Sequence, residues 1–309
     1  MNSLHIVSGS ANPQLAAAIA DRLEAGPVAG ALERFPDGEL CPVVEHVGGG
    51  DIFVIQPTSP PVNDHLVELL LLLDACRSAR AARITAVVPY FSYARQDRRT
   101  GAGRALGARV VAEAIAGAGA DRLVVVDPHT PALEAICPCP VDVLTAAPIL
   151  SAAAGIPRSE RAVIVAPDLG AAELAERYAS RRPGAVALVR KFRESGSTVK
   201  ALEMIGQVEH RPVVIVDDMI ATGATIEAAV HTLHYHATDI VVAATHGPLL
   251  PAATARLRHL PVRRVLVTDT VAQQDSAAPM EVYSVAPLLA DAIARLHNDQ
   301  PVGLPLTTA

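Results

Sequence analysis

Residues 213–225 read Val213-Val214-Ile215-Val216-Asp217-Asp218-Met219-Ile220-Ala221-Thr222-Gly223-Ala224-Thr225. Four apolar, mostly β-branched residues predict a buried parallel strand, and two carboxylates stand where it ends. A glycine-containing loop follows, and a helical pattern begins at Ile226. Backbone N–H groups at a loop that opens a helix bind a phosphate dianion well, because the helix dipole and the unsatisfied donors both point at it. The stretch predicts a ribose 5-phosphate site at the carboxyl edge of a sheet, with the acidic pair accepting hydrogen bonds from ribose hydroxyls.

The same stretch has a plainer interpretation. A strand that ends in Asp-Asp-x-x-x-Thr-Gly is also typical of an ordinary strand-to-helix turn, in which Thr225 would be the N-cap. The motif alone leaves both interpretations open.

Short apolar runs alternate with helical patterns along the chain. This alternation predicts an α/β fold with mostly parallel sheets flanked by helices, and nine strands fit two sheets better than one. The 309 residues are enough for two domains, and residues 124–129 and 241–248 resemble each other. We expect one domain over residues 1–146 and a second, related domain over residues 147–309. The predicted strands are 4–7, 52–55, 84–88, 123–126, 162–165, 186–189, 213–216, 240–244 and 265–267, and the predicted helices are 13–23, 63–79, 106–118, 171–179 and 226–236.

The composition argues against several classes of protein. The formal net charge is −6 and the sequence pI is about 6.0, so no overall basic field favours nucleic acid as a partner. The longest leucine run, residues 69–73, is too short to cross a bilayer. No signal peptide is recognised, and we expect a cytoplasmic metabolic protein without a membrane partner.

The cysteines do not predict a special site. The four cysteines include one C-x-C pair and no C-x-x-C. The spacing does not fit zinc, and the chain is large for a disulfide framework, so ordinary reduced thiols are expected. They are Cys41, Cys76, Cys137 and Cys139.

Further segments along nearly the whole chain share one likeness. They are Phe35-Pro36-Asp37-Gly38-Glu39, residues 58–70, Pro89-Tyr90-Phe91-Ser92-Tyr93-Ala94-Arg95-Gln96-Asp97-Arg98, Asp127-Pro128-His129, Ala166-Pro167-Asp168, Thr245-His246-Gly247-Pro248 and residues 284–289. In this order, and with the Asp217 loop, they resemble the ribose-phosphate diphosphokinases, the synthetases of phosphoribosyl diphosphate (PRPP). Simple phosphoribosyltransferases lack the segment at 93–97. The resemblance implies two phosphoribosyltransferase-like domains and transfer of the diphosphoryl group of ATP to the C1 hydroxyl of ribose 5-phosphate, releasing AMP.

The resemblance implies ATP contacts from two segments. The first follows the strand at 84–88 and supplies Arg95, Gln96 and Asp97. The second resembles a loop that receives adenine from across a subunit boundary, and it supplies Phe35, Asp37, Gly38 and Glu39. A shared ATP site would make the protein a homo-oligomer, a dimer or a multiple of dimers. An ordinary type I turn is the alternative for the second segment.

The resemblance also implies a magnesium site. His129 and Asp168 match the metal positions of the family. Because Mg²⁺ prefers oxygen ligands, the Asp168 carboxylate is the natural ligand. His129 is the less expected ligand, and it has a second interpretation as a hydrogen-bond donor to a phosphate oxygen of ATP.

Two cations carry the implied catalysis. Lys191 and Arg193 follow the strand at 186–189 and resemble the flexible-loop Lys-x-Arg of the family. Cations on a closing loop would position the phosphates and neutralise their charge, and a solvated basic turn is the alternative. The implied ribose 5-phosphate contacts are Arg193, Asp217, Asp218, Ala221, Thr222, Gly223, Ala224 and Thr225.

The chain departs from the best-known branch of the family at three places. Ala221 replaces a loop carboxylate, and residues 169–171 and 104–106 replace other family segments. Two alternatives therefore stay open, a non-catalytic relative that binds PRPP or nucleotides and a phosphoribosyltransferase that consumes PRPP.

Overall fold

The computed structural model describes residues 3–26, 30–99, 101–155, 162–180, 185–193, 199–247, 250–273 and 280–302. The chain forms two compact units. The first consists of Met1–Leu144, Thr270–Ala272 and Ser284–Ala309, and the second of Thr145–Asp269 and Gln273–Tyr283. Each unit has a mostly parallel sheet flanked by helices, which confirms the predicted α/β fold. Of the helices in the described ranges, none combines the length and apolarity that a membrane span requires.

The first unit is built on a parallel sheet of five strands, in the order β1-β4-β5-β6-β7. Strands β2 and β3 form a separate antiparallel hairpin. Helices α2 and α3 bury Leu69, Leu73 and Ile115 against one apolar core of this sheet. The elements are β1 (Leu4–Ser8), α1 (Pro13–Arg22), β2 (Gly30–Arg34), β3 (Leu40–Val44), β4 (Asp51–Ile55), α2 (Val62–Ser78), β5 (Arg83–Val88), α3 (Gly107–Ala118), β6 (Arg122–Val126), α4 (Leu133–Ile136) and β7 (Val141–Leu144).

The second unit has a sheet of seven strands, in the order β10-β9-β8-β11-β12-β13-β14. Only the β9–β10 pair among these described strands is antiparallel. Central β11 buries Val213, Val214, Ile215 and Val216. The elements are α5 (Ala147–Ala153), β8 (Val163–Ala166), α6 (Ala172–Ala179), β9 (Ala185–Arg193), β10 (Val199–Ile205), β11 (Pro212–Met219), α7 (Ala224–Leu233), β12 (Asp239–His246), α8 (Pro251–Leu257), β13 (Arg264–Thr268) and β14 (Met280–Tyr283).

The last helix, α9 (Ala286–His297), belongs to the first unit. The division into residues 1–146 and 147–309 stays a prediction, and the compact units differ from it in where this helix lies. A polar cluster explains the placement. Arg83 donates two hydrogen bonds to the buried Asp51 carboxylate, at 2.8 and 2.6 Å, and one to the Leu296 carbonyl at 2.8 Å. His297 Nδ1 lies 2.8 Å from Asp51 Oδ2, so the end of α9 helps to satisfy a buried charge.

Replacing Arg83 with methionine should lower the free energy of unfolding by about 3 kcal/mol, because Asp51 would stay buried without its bidentate partner. Urea denaturation measures this loss. Arg295→Met is the matched control, since Arg295 pairs with Asp291 on the exposed face of α9, and it should cost less than about 0.5 kcal/mol. Equal losses in the two variants would contradict the importance of the buried cluster.

Candidate active site

In the sheet of the second unit, the direction in which the chain adds successive strands reverses between β8 and β11. From β8 the chain continues to β9 on one side, whereas from β11 it continues to β12 on the other. Ligands of open α/β sheets bind at such a reversal, outside the carboxyl ends of the strands. Because β8 and β11 are parallel neighbours, the residues that end both strands lie at this position.

Three carboxylates lie at this reversal. Asp168 follows β8, and Asp217 and Asp218 lie near the end of β11. The Asp218 N–H donates to Asp217 Oδ1 at 3.0 Å, and Asp168 Oδ1 accepts from the Gly170 N–H at 2.9 Å. Burial raises the pKa of Asp217 well above its usual range, and the charge of Asp218, with a smaller contribution from Asp168, raises it further. A ligand with hydroxyl donors or a cation would relieve this repulsion.

The loop after β11 opens α7 at Gly223. The φ angle of Gly223 is 77°, in the left-handed region, and it is the N-cap of α7. The helix begins at Ala224, two residues before the predicted start, so the interpretation of Thr225 as the N-cap is wrong. Glycine is favoured at this turn because it adopts the left-handed conformation without a steric penalty. The first N–H groups of α7 have no partner inside the helix, and they are suited to an anion.

Arg256 of α8 supports this loop from outside. Its Nη1 donates to the Thr222 carbonyl at 2.8 Å, and its Nε lies 3.3 Å from a Glu227 carboxylate oxygen on α7. The sequence alone does not indicate a role for this residue. No motif marks Arg256, because its role depends on α8 packing beside α7.

If the loop binds ribose 5-phosphate, as the sequence predicts, replacing Gly223 with alanine should raise the KM for this compound about tenfold. The left-handed conformation costs a non-glycine residue about 1–2 kcal/mol, and the new Cβ would lie 3.4 Å from Ala253 Cα. Steady-state kinetics with purified protein measures the change. Gly117→Ala is the control, since a Cβ there meets nothing within 4 Å, and its KM should equal that of the wild type. An unchanged KM in the Gly223 variant would contradict a phosphate site at this loop.

Lys191 and Arg193 lie in a strand rather than in the expected loop. They belong to β9, where Lys191 pairs with Leu202 of β10 and Arg193 with Val199. Leu188 is level with Ala166 at the end of β8. At about 3.3 Å per residue, Lys191 therefore lies about 10 Å beyond the carboxyl end of β8. The β9–β10 ribbon extends past the edge that carries Asp168, and residues 194–198, which connect the two strands in the sequence, lie outside the described residues.

The first unit presents Arg95, Gln96 and Asp97 after β5. Buried Ala94 anchors the segment, and the Gln96 N–H donates to the Tyr93 carbonyl at 2.8 Å. The Tyr93 hydroxyl donates to Asn63 Oδ1 on α2 at 2.6 Å. The side chains of Arg95 and Gln96 are exposed at the carboxyl edge, and Asp97 is half-buried. These contacts fix the backbone while leaving the polar groups available.

His129 lies at the same edge of the first unit. It follows β6, which is the parallel neighbour of β5, and its side chain is exposed. Its position is fixed by a short turn in which the Ala132 N–H donates to Thr130 Oγ1 at 3.1 Å. The first unit therefore brings His129 to the edge that also carries the predicted ATP segment, as expected from parallel neighbouring strands.

The second predicted ATP segment, residues 35–39, forms the tip of the β2–β3 hairpin. Phe35 is 47% exposed. The Gly38 N–H donates to the Phe35 carbonyl at 2.8 Å, and the Glu39 N–H donates to Asp37 Oδ1 at 3.2 Å. Among the described strands, β2 and β3 pair with each other and not with the five-stranded sheet, and β3 packs against α2. An exposed aromatic ring at a hydrogen-bonded tip is suited to contact a planar group on another molecule.

The carboxylate oxygens at the reversal are suited to a hard cation that keeps some of its water ligands. Within the described ranges, no three His, Cys, Asp or Glu residues are grouped closely enough to hold a metal ion by themselves. Mg²⁺ is usually bound by one or two carboxylates together with waters and substrate phosphates. The Asp168, Asp217 and Asp218 group supplies carboxylates of this kind.

Comparisons with known proteins agree with this geometry. A family model described as the N-terminal domain of ribose phosphate pyrophosphokinase matches residues 4–119, and one described as the phosphoribosyl synthetase-associated domain matches residues 190–305. A ribose-phosphate pyrophosphokinase from Rhodopirellula baltica is 41% identical over 98% of each chain, and one from Maricaulis maris is 41% identical over 97% of this chain and 98% of its own. The chain belongs to the ribose-phosphate pyrophosphokinase family. This family is the same as the ribose-phosphate diphosphokinases, so the predicted resemblance is confirmed.

A solved structure of a pyrophosphokinase relative supports the fold over the whole chain. The crystal structure of phosphoribosylpyrophosphate synthetase from Mycobacterium smegmatis matches with a TM-score of 0.90 and 34% identity. The match covers 96% of this chain and 99% of that chain. The predicted pair of phosphoribosyltransferase-like domains is confirmed by this match.

Two departures from the best-known pyrophosphokinase branch have clear local structures. Leu169–Ala171 forms a 3-10 turn that Asp168 caps, with the Leu169 side chain 68% exposed. Ala221 is half-buried in the loop that Arg256 supports. Both departures leave Asp168, Asp217 and Asp218 at the reversal and the left-handed Gly223 in the loop.

Proposed function

We propose that this protein synthesises PRPP from ATP and ribose 5-phosphate. The oxygen of the C1 hydroxyl attacks the β-phosphorus of ATP, the bond between that phosphorus and the bridging oxygen to the α-phosphate breaks, and AMP leaves while the hydroxyl proton is released. The observation that carries this proposal is the Gly223-capped start of α7, at a strand reversal beside three carboxylates. Membership of the pyrophosphokinase family supports the same reaction.

Ribose 5-phosphate binds at the end of β11. Its phosphate accepts hydrogen bonds from the backbone N–H groups of residues 222–225, with the α7 dipole favouring the negative charge. Asp217 and Asp218 accept hydrogen bonds from the ribose hydroxyls, and these donors offset the repulsion within the acidic pair. Ala221 contributes backbone only, and Arg193 adds charge from the β9–β10 ribbon.

ATP binds at the carboxyl edge of the first unit. Arg95 neutralises phosphate charge, and Gln96 and Asp97 supply further polar contacts. Phe35 stacks on the adenine ring of an ATP molecule bound to a neighbouring subunit, and Asp37, Gly38 and Glu39 form hydrogen bonds with the same ring. The protein is therefore a homo-oligomer, and its location is the cytoplasm. We assign no nucleic acid or membrane partner.

A divalent metal ion accompanies the reaction, and we propose that it is Mg²⁺. Asp168 holds it through an oxygen ligand, and His129 contacts it or a phosphate oxygen of ATP. When bound, the ion withdraws negative charge from the phosphates. Asp217 and Asp218 lie near Asp168, so the surroundings of the ion are rich in the oxygen atoms that Mg²⁺ prefers as ligands.

Lys191 and Arg193 carry the catalytic charge. Phosphoryl-type transfer depends on positioning and on neutralising charge that develops in the transition state. The proposal is supported by the position of both residues on a ribbon that extends past the carboxyl edge of the sheet.

The reaction is tested by mixing the purified protein with ATP, ribose 5-phosphate and Mg²⁺ and measuring AMP and PRPP. Equal amounts of the two products, formed only when ribose 5-phosphate is present, would support the proposal. Binding of both substrates without product would favour a regulatory relative. Consumption of added PRPP in the presence of a nucleobase, without a need for ATP, would favour a phosphoribosyltransferase.

The shared ATP site predicts complementation between two inactive variants. Phe35→Ala and Lys191→Ala proteins should each be nearly inactive, whereas a hybrid dimer should regain activity, because one of its sites pairs an intact Lys191 with the partner subunit's Phe35. Co-expression with two different tags, tandem purification and the AMP assay measure this. Hybrids of two Lys191→Ala chains are the control and should stay inactive. An inactive mixed hybrid would contradict a shared site.

A further inference from the structure

Two thiols lie in contact away from the candidate active site. Cys137 and Cys139 belong to the segment between α4 and β7, and their Sγ atoms are 3.5 Å apart. Both side chains are half-buried against the apolar core of the first unit. Strand β7 is parallel to β6, so its first residue lies at the amino edge of the sheet. His129 and the ATP segment lie at the opposite, carboxyl edge.

The backbone around the two cysteines is held at both ends. The Cys137 N–H donates to the Leu133 carbonyl at 3.0 Å, and the Pro140 carbonyl accepts from the Leu123 N–H at 2.9 Å. Pro138 and Pro140 fix their own φ angles. Cys137 is extended, with φ −76° and ψ 132°, and residues two apart along a chain have Cα atoms at most about 7 Å apart. The two cysteines are therefore close enough for a disulfide to join them.

The contact makes the two thiols unequal. A hydrogen bond from Cys139 lowers the pKa of Cys137 to about 7, although burial opposes this change. The same hydrogen bond, with burial, raises the pKa of Cys139. Burial alone raises the pKa of Cys76 to about 12. Because the thiolate is the reactive form, Cys137 is the better nucleophile among these three thiols.

Metal binding is not the best use of this pair. In the part of the chain that the structure describes, no third His, Cys, Asp or Glu joins the two sulfurs in a metal-ligating group. Soft ions such as Zn²⁺ take four ligands in structural sites. Two thiols at contact distance with one activated member are instead the arrangement of a redox pair.

We propose that Cys137 and Cys139 form a reversible thiol–disulfide site that is oxidised by hydroperoxides. The Cys137 thiolate attacks one oxygen of hydrogen peroxide, the O–O bond breaks, and with one proton the products are Cys137 sulfenic acid and water. The Cys139 thiol then attacks the sulfenic sulfur, a second water leaves, and the S–S bond forms. Two thiols have been oxidised and one peroxide reduced to two waters. A dithiol reductant returns the pair to its starting state.

The test uses the reduced full-length protein and stepwise addition of hydrogen peroxide. After alkylation and tryptic digestion, the peptide of residues 123–158 should have lost two hydrogens and taken up no alkyl group. Dithiothreitol should restore double alkylation. Cys41 and Cys76 lie together on another tryptic peptide, residues 35–77, and fragmentation of that peptide makes each an internal control. Peroxide should leave both of them unmodified at the concentration that closes the 137–139 bond.

Two serine variants distinguish the roles of the thiols. In Cys139→Ser, dimedone should trap the sulfenic acid at Cys137. In Cys137→Ser, oxidation of Cys139 should be slower than oxidation of Cys137 in Cys139→Ser, because burial still disfavours the Cys139 thiolate. Equal melting temperatures of both variants and the wild type would show that each folds. The proposal is overturned if Cys41 is oxidised first, if the peptide gains oxygen without cross-linking, or if native mass spectrometry finds a metal ion that blocks alkylation of the pair.

Discussion

Lys191→Ala is expected to lower kcat for PRPP formation about 10²–10³-fold, the usual cost of removing one group that stabilises transition-state charge. The Kd for ribose 5-phosphate should stay within about twofold, because such a group acts in the transition state rather than in the ground state. Quenched-flow measurement of AMP gives kcat, and calorimetric titration with ribose 5-phosphate gives the Kd.

The chain offers a matched control for this variant. It has two lysines, Lys191 and Lys200, and both lie in the β9–β10 ribbon. Lys200→Ala should keep kcat within about twofold, since general surface charge is worth little. Similar kcat losses in the two variants would indicate that the ribbon acts through its overall charge, which would contradict a specific catalytic role for Lys191.

Asp217→Asn is expected to make the ligand-free protein more stable and nearly inactive. The amide removes a charge that lies beside two other carboxylates, a change that we expect to stabilise the fold by about 1 kcal/mol. It also replaces a charged acceptor for the ribose hydroxyls, so kcat/KM should fall about 10–100-fold. Thermal unfolding and steady-state kinetics measure the two effects.

The pH dependence of this effect has a defined sign. Because burial raises the pKa of Asp217 in the folded protein, the folded state binds its proton more tightly than the unfolded state does. The stability from this carboxyl is fully present below the unfolded pKa, about 3.9, and is lost as the pH rises toward the folded pKa. The advantage of Asp217→Asn over the wild type should therefore shrink from pH 7 to about pH 4.

An aspartate that is paired with a cation should respond to the same substitution in the opposite way, by a loss of stability. Asp142 of β7 accepts from Arg122 Nη1 at 2.7 Å, so Asp142→Asn should lower the melting temperature and leave activity unchanged. If both variants lost stability at pH 7, repulsion among the carboxylates at the reversal would be contradicted.

Much of the fold was predictable because buried parallel strands have a strong sequence pattern. Residues 213–216 are apolar without interruption, and they lie at the centre of the seven-stranded sheet. The other eight predicted strands also occur, several with one or more extra residues. Burial on both faces produces this pattern whatever the rest of the chain does.

The exposed elements were less predictable. Strand β14 is largely exposed and has no continuous apolar run, and the hairpin of β2 and β3 stands outside both large sheets. The extension of β9 through Lys191 depends on pairing with β10. Such pairing depends on the side chains of the partner strand, so the sequence of β9 alone does not specify where it ends.

The candidate site divides in the same way. Gly223 and the acidic pair were predictable, because backbone conformation and phosphate chemistry restrict the residue types at a short loop. Arg256 was not, because its contact with the Thr222 carbonyl joins residues 34 positions apart. The contact between Cys137 and Cys139 likewise needed coordinates, since C-x-C spacing alone does not fix where the sulfurs point.

The return of α9 to the first unit has a consequence during protein synthesis. Asp51 and Arg83 emerge from the ribosome long before residues 296–299, with which they form hydrogen bonds. While the second unit is being translated, Asp51 and Arg83 therefore lack their hydrogen-bond partners in residues 296–299, and the first 144 residues cannot complete their fold. A ribosome stalled before α9 should hold a nascent chain whose first 144 residues are sensitive to protease, whereas release of the complete chain should make them resistant.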